Sequence, residues 1–223
     1  MVTVEQLGKG FTSAGEPVPV ISGLSFQVSR GASLAVMGRS GSGKSTLLNL
    51  LCGLESPDRG EISLGEHRFA TQNPAGAERD AQWAQLRCST IGVVFQEANL
   101  MPALTLADNV RLRAHLAGQA PGAEQQWLER LGVGDLGQRF ADQVSGGQRQ
   151  RAALAMVFAM KPALILADEP TGSLDRHTAD AVADCLFAVQ QETGCTLLLA
   201  THDGLLAGRC DQLLDLSRPH DHG

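Results

Sequence analysis

"SLAVMGRSGSGKSTLLNLL" (residues 33–51) governs the reading of the rest of the chain. It starts as an unbroken apolar run, the composition of a strand buried on both faces, and ends as a leucine-rich helical pattern. Between the two, Gly38 to Ser45 fit the spacing G-x-x-x-x-G-K-[ST], with the preceding strand and following helix that this spacing requires. The glycines let backbone N–H groups close around an anion, and the start of the helix adds its dipole. In such a loop Lys44 reaches the outer phosphates of a nucleotide and the Ser45 hydroxyl ligates Mg²⁺. Gly38, Arg39, Ser40, Gly41, Ser42, Gly43, Lys44, Ser45 and Thr46 therefore form a candidate phosphate cradle. The motif indicates a nucleotide binder without saying which nucleotide.

Working outward, further apolar runs end in polar residues. "IGVVF" (91–95) precedes Gln96, "ALILA" (163–167) precedes Asp168 and Glu169, and "TLLLAT" (196–201) precedes His202. Helical stretches such as 44–54 and 178–193 alternate with these runs, which predicts an α/β fold with a parallel sheet covered on both faces. Ligands of such sheets bind beyond the carboxyl ends of the strands, where Gln96, Asp168, Glu169 and His202 all fall. Residues 1–30 and 61–70 alternate polar and apolar positions and predict a small antiparallel sheet. From about 98 to 160 the strand signal disappears and Ala, Leu, Gln and Arg dominate. One domain of 1–223 is expected, with an α/β core of about 1–97 and 161–223 and an inserted helical subdomain of about 98–160.

Bulk composition narrows the function. A net charge of −6 without runs of like charge argues against nucleic acid as the main partner. Five scattered cysteines without a Cys-x-x-Cys pair suit a reducing compartment. The start "MVTVEQLGKG" has no signal-peptide pattern, and no apolar run approaches the roughly 20 residues of a membrane span. If the chain works at a membrane, a partner must supply the membrane part. In the tail "SRPHDHG", His220, Asp221 and His222 could hold a metal, or could simply be a solvated terminus.

The polar residues at the sheet edge have chemical assignments. Asp168 can hold Mg²⁺, directly or through water, and Glu169 can orient and deprotonate an attacking water. Gln96 and His202 mean little singly, but at the same edge Gln96 can sense metal and water, and His202 can bond a γ-phosphate oxygen. Ser145, Gly146, Gly147 and Gln148 of "VSGGQRQ" (144–150) read as a second anion-gripping helix start, within the helical insert. A second copy of the chain, facing the first head to tail, would let each Ser145 close over the nucleotide held by the other's Lys44.

Taken together these motifs resemble the ATP-binding subunit of ABC transporters over nearly the whole chain. In that family's terms "GRSGSGKST" is similar to Walker A, Gln96 to the Q-loop glutamine, "VSGGQ" to the signature and "LILADE" to Walker B. "SLD" (173–175), with Asp175, is similar to the D-loop, and His202 to the switch histidine. The resemblance implies ATP and Mg²⁺ as cofactors, with Ser45, Gln96 and Asp168 at the metal and Lys44, Gln96, Glu169 and His202 in catalysis. Phe11 stands where the family has an aromatic that stacks on adenine, a core position being the alternative.

"FQEANLMPALTLADNV" (95–110) and "LADEPTGSLD" (166–175) resemble the class of lipoprotein-release, macrolide-export, haem-export and cell-division ATPases. That likeness implies a dimer of ATPase subunits on the cytoplasmic face of the membrane, bound to two integral membrane permease subunits. It favours export or release of haem, peptide, hydrophobic drug or lipoprotein, with force transmission in cell division as the alternative. Residues Leu100 to Leu104 would line the groove for the membrane subunit's coupling helix. Val144 replaces the signature's usual leucine, and "LAMVFAM" (154–160) lacks an arginine often found there. A soluble ABC ATPase of DNA repair or translation would need a long coiled coil, zinc ligands or tandem halves, none of which the sequence shows.

Overall fold

The computed structural model describes residues 1–13, 15–71, 76–172 and 174–217, so the tail with His220 to His222, and Ser173 of "SLD", lie outside the described residues. From the N-terminus, β1 (Val2–Ser13) and β2 (Glu16–Val28) form a hairpin, and β3 (Ser33–Met37) leads into α1 (Lys44–Leu51). A second hairpin, β4 (Arg59–Leu64) and β5 (His67–Ala70), is followed by α2 (Ala77–Ser89) and β6 (Ile91–Val94). Next come α3 (Leu106–Leu116), α4 (Glu124–Arg130) and α5 (Gly146–Ala159). β7 (Leu164–Asp168), α6 (Arg176–Thr193), β8 (Thr196–Ala200), α7 (Gly204–Ala207) and β9 (Gln212–Asp215) complete the order.

Two sheets result. The apolar runs found in the sequence form a parallel sheet in the order β6-β7-β8-β3-β9, and the alternating segments form an antiparallel sheet in the order β2-β1-β4-β5. The chain is thus of the mixed α/β class, as its strand–helix alternation predicts. The side chains of β7 show why both faces must be apolar. Ile165 and Ala167 join a core with α3 to α6, through Leu106, Leu128, Leu154 and Leu186. Leu164 and Leu166 point the other way, to α1 and the antiparallel sheet, where Leu7, Leu24, Leu47 and Ile62 lie.

The segment 98–160 contains three α-helices, two single-turn 3₁₀ helices (Gly134–Leu136 and Ala141–Gln143) and no strand of either sheet. α3 and α4 pack on α5, and a bidentate ion pair carries α4 to α6: the Arg130 guanidinium donates to both oxygens of Glu192 at 2.8 and 2.6 Å. Val144, where the family has leucine, is buried in the same core, so the smaller side chain is accommodated.

α2 is an element the sequence did not announce, because only Trp83 and Leu86 of its 13 residues are buried. Trp83 stacks on Phe69 of β5 with ring centroids 3.8 Å apart, which fastens α2 to the antiparallel sheet. Gly53, just past α1, has φ +67, and a Cβ there would collide with the Trp83 ring. Gly53→Ala should therefore cost about 2–3 kcal/mol, from left-handed backbone strain plus overpacking. Thermal unfolding should register it as a fall in Tm of roughly 4–10 °C.

Candidate functional site

The carboxyl ends of β3, β6, β7 and β8 open into one cleft of about 670 Å³. It is lined by Ser40, Gly41, Gly43, Lys44, Ser45 and Thr46 of the glycine-rich loop, and by Gln96, Asp168, Glu169 and His202. Phe11, Val20 and Gly172 complete the wall. Gly38, Arg39 and Ser42 are not among the lining residues. The Lys44 ammonium donates to the carbonyls of Gly38 at 2.9 Å and Arg39 at 3.4 Å, and the Ser42 hydroxyl is buried without a partner.

The cradle depends on the start of α1. Its N-cap, Gly43, has φ +96, and a Cβ there would lie 2.9 Å from Val20 Cγ1, so only glycine fits without a shift. No side chain caps α1, whereas Ser145, Asp175 and Asp203 cap α5, α6 and α7. The first N–H groups of α1 are therefore left for a ligand, and the helix dipole favours an anion.

β7 delivers two carboxylates of different character. Asp168 is 9% exposed, and its Oδ1 atom has no hydrogen-bond partner. Burial pushes its carboxyl above the usual range, with the Ser45 hydroxyl, then Glu169 and Lys44, modifying the effect. A buried oxygen without a donor suits a hard cation, and together with the Ser45 hydroxyl it gives Mg²⁺ the oxygen ligands it prefers. Among the described residues there is no cluster of three His, Cys, Asp or Glu ligands, so phosphate and water oxygens would complete the shell.

Glu169 is held differently. Its backbone has φ +45, a left-handed conformation that a non-glycine residue adopts only under constraint. Its N–H donates to Ala200 O at 2.9 Å, and its carbonyl accepts from Gly172 N–H at 3.0 Å. The side chain meets His202 Nδ1 at 2.9 and 3.0 Å and lies 3.8 Å from the Lys44 ammonium. His202 is otherwise open, with 73% of its side chain exposed.

Phe11 is 41% exposed, which removes the core alternative. The residues Ser145, Gly146, Gly147 and Gln148 are not among those lining the cleft of their own chain. Ser145 and Gln148 instead form a reciprocal cap: Ser145 Oγ accepts from Gln148 N–H at 3.2 Å, and Gln148 Oε1 from Ser145 N–H at 2.8 Å. The S-x-x-Q spacing carried that signal, and it leaves the Ser145 O–H free to donate elsewhere. Asp175 also lies outside the cleft and caps α6 through Thr178 N–H at 3.0 Å. Leu174 beside it packs against Gly147, leaving 3.0 Å to an added Cβ, so the two motifs meet.

Some participants were not singled out in the sequence. Val20 is a wall residue with no signal beyond an apolar position in a strand. Gln150, 1% exposed, donates to Phe95 O at 3.0 Å and ties α5 to the residue before Gln96. A polar residue on the inner face of a helix was the available sign.

The residues expected to line a docking groove, Leu100 to Leu104, do not border the apolar cavity of this region. An apolar cavity of about 480 Å³ is lined by Leu54, Val93, Phe95, Leu116 and Met156 among others, and by none of Leu100 to Leu104. Asn109, 3% exposed, accepts from Met101 N–H and donates to the carbonyls of Met101, Leu104 and Thr105. It draws that loop onto the start of α3, and Leu100 packs on the core.

With this geometry established, comparison with known proteins is informative. Residues 21–172 match the family model described as ABC transporter. The chain is 40% identical over 220 residues to the uncharacterised ABC transporter ATP-binding protein YbbA of Escherichia coli K12, covering 97% of this chain and 94% of the relative. It is 42% identical over 221 residues to the lipoprotein-releasing system ATP-binding protein LolD of Anaeromyxobacter dehalogenans, covering 96% and 90%. Among solved structures, the dimeric post-hydrolysis state of the ATP-binding cassette MJ0796 with ADP and Pi superposes with a TM-score of 0.85 at 31% identity. That match covers 97% of this chain and 94% of the other.

The raised carboxyl of Asp168 has a measurable consequence. A carboxyl that holds its proton more tightly when folded stabilises the protein below its unfolded pKa, and this contribution is lost as pH rises through the folded value. Above the folded value the ionised, buried group opposes folding. Asp168→Asn should raise the Tm of the nucleotide-free protein at pH 7, with the gain shrinking toward pH 4, in thermal scans across that range. The same variant should lose the Mg²⁺ dependence of ATP binding in titration.

Proposed function

This chain belongs to the ABC transporter family, and on that premise we propose that its ATPase cycle powers export or release of a substrate through a membrane partner. Its ATPase character comes with the family. The observation that carries the mechanism is the convergence of Lys44, Ser45, Gln96, Asp168, Glu169 and His202 on one cleft that Ser145 does not line. In this reading the loop N–H groups and Lys44 bind the phosphates of ATP. Glu169 accepts the proton of the attacking water, while the His202 Nδ1–H donates to the Glu169 carboxylate and, with the ring protonated, its Nε2–H donates toward the γ-phosphate. Gln96 positions the water, and Phe11 receives the adenine ring. Mg²⁺ fits Ser45 and Asp168, with Gln96 beside them, and when bound it neutralises charge on the β- and γ-phosphate oxygens.

The exposed Ser145 hydroxyl and the glycines after it serve the neighbouring copy, in a head-to-tail dimer with ATP at the interface. In the dimer two membrane permease subunits seat on the apolar cavities around Phe95 and Leu116, one on each copy, at the cytoplasmic face of the membrane. No described helix is long and apolar enough to cross a bilayer. The kinship with a lipoprotein-releasing ATPase favours a lipid-linked or otherwise hydrophobic cargo.

Two experiments test this reading. Glu169→Gln should retain ATP binding, slow hydrolysis by roughly 10²–10⁴ and accumulate ATP-bound dimers, seen by turnover assay and size-exclusion chromatography. Hydrolysis at the wild-type rate would remove Glu169 from its role. For the dimer, a chain carrying Lys44→Ala is mixed with one carrying Ser145→Arg. The head-to-tail arrangement gives one intact ATP site per mixed dimer, detected by nucleotide occlusion. Absence of occlusion in verified heterodimers would refute it.

A further inference from the structure

We infer that Lys9 is a positioning residue for base recognition, fixing the Phe11 ring in the cleft; this rests on the reading of Phe11 as the adenine platform. The need for such a residue follows from the strand pairing. β4 pairs with β1 only from Val2 to Gly8, so beyond Gly8 the β1–β2 hairpin continues as a two-stranded ribbon. Phe11 and its partner Val18 sit on that ribbon, 41% and 44% exposed. Two strands with an exposed aromatic do not hold a ring in place by themselves.

Val20 of the ribbon packs on the core and beside Gly43, and a set of polar contacts ties Lys9 and Gly10 to the residues after α1. The β1–β2 register shifts between Lys9 and Gly10, the kind of irregularity that re-aims side chains. There Gly10 N–H donates to Asp58 Oδ2 at 2.7 Å, and Asp58 N–H donates to Gly8 O at 2.9 Å. The Lys9 ammonium donates to Ser56 O at 2.9 Å and lies 3.5 Å from both Glu55 and Asp58. It also sits 5.2 Å from the Phe11 ring centroid, within cation–π range. Lys9 is not among the residues lining the cleft, so its influence on a nucleotide passes through Phe11.

Residues 55–58 follow α1, the helix whose first residue is Lys44. The phosphate cradle and the base platform are therefore linked through α1, this loop and the Lys9 ammonium. That connection sets where the ring stands relative to the phosphates.

The test compares ATP with inorganic tripolyphosphate, a ligand with phosphates and no base, by calorimetry in the presence of Mg²⁺. Lys9→Met keeps the aliphatic stem, and Glu55 and Asp58, 39% and 57% exposed, remain solvated, so the variant should fold. Unchanged tripolyphosphate affinity would itself report an intact cradle. Phe11→Ala should weaken ATP by about ten- to a hundredfold and leave tripolyphosphate unaffected, the usual worth of base–aromatic stacking. Lys9→Met should weaken ATP alone, by about three- to tenfold. Lys9→Arg should restore binding to within about twofold, since a guanidinium meets the same ring and carboxylates. In a Phe11→Ala background Lys9→Met should add nothing. If Phe11→Ala leaves ATP affinity unchanged, the platform reading falls and this inference with it. If Phe11→Ala weakens ATP while Lys9→Met does not, or Lys9→Met weakens both ligands equally, the inference alone is overturned.

Discussion

Parallel strands can be joined only by crossovers, and that constraint organises this protein. Because β3, β6, β7 and β8 all run the same way, their carboxyl ends share one edge of the sheet. Gln96, Asp168, Glu169 and His202 follow those ends, so residues up to 106 positions apart meet in one cleft without any long loop. The same sheet must be apolar on both faces, and the alternation along β7 divides its side chains between two cores. A polar residue can therefore appear only where the strand ends, and Asp168 is the first position at which one does.

The site then works by leaving selected groups unsatisfied. Asp168 Oδ1 is buried without a donor and α1 starts without a side-chain cap, although buried polar atoms and helix ends are ordinarily paired. Each is an unmet demand that a cation or an anion answers. α5 follows a different rule. Ser145 and Gln148 satisfy one another, so this helix start is stable while exposed and presents its remaining donors to whatever approaches. Glu169 carries the complementary cost: its left-handed backbone is maintained by hydrogen bonds to β8 and to Gly172.

The two ends of the cleft are supported differently. The phosphate end is built on α1, whose Leu47, Leu48, Leu50 and Leu51 are buried against the sheet. The end at Phe11, the proposed base platform, is a ribbon of two strands, with Phe11 about as exposed as Val18 opposite it. Tight packing supports the first, and Val20 together with a small set of polar contacts supports the second.

The sequence by itself determined the architecture and most of the cleft, because the responsible signals are local. Apolar runs at strand length, the glycine spacing of 38–45 and the acids after "ALILA" each act within a few residues, so one chain suffices to read them. What only the tertiary structure decided depends on partners distant in sequence. Lys9 acquires meaning from Glu55, Ser56 and Asp58, Gln150 from a carbonyl 55 residues away, and α2 from a tryptophan stacked on another strand. The loop at Leu100 to Leu104 is the clearest case. The resemblance implies a docking groove lined by this loop, yet one buried asparagine bonded to its backbone ties it to α3, and the apolar cavity around Phe95 and Leu116 is lined by none of Leu100 to Leu104. Local pattern fixes which element forms; the three-dimensional inventory of hydrogen-bond partners fixes where each side chain and loop comes to rest.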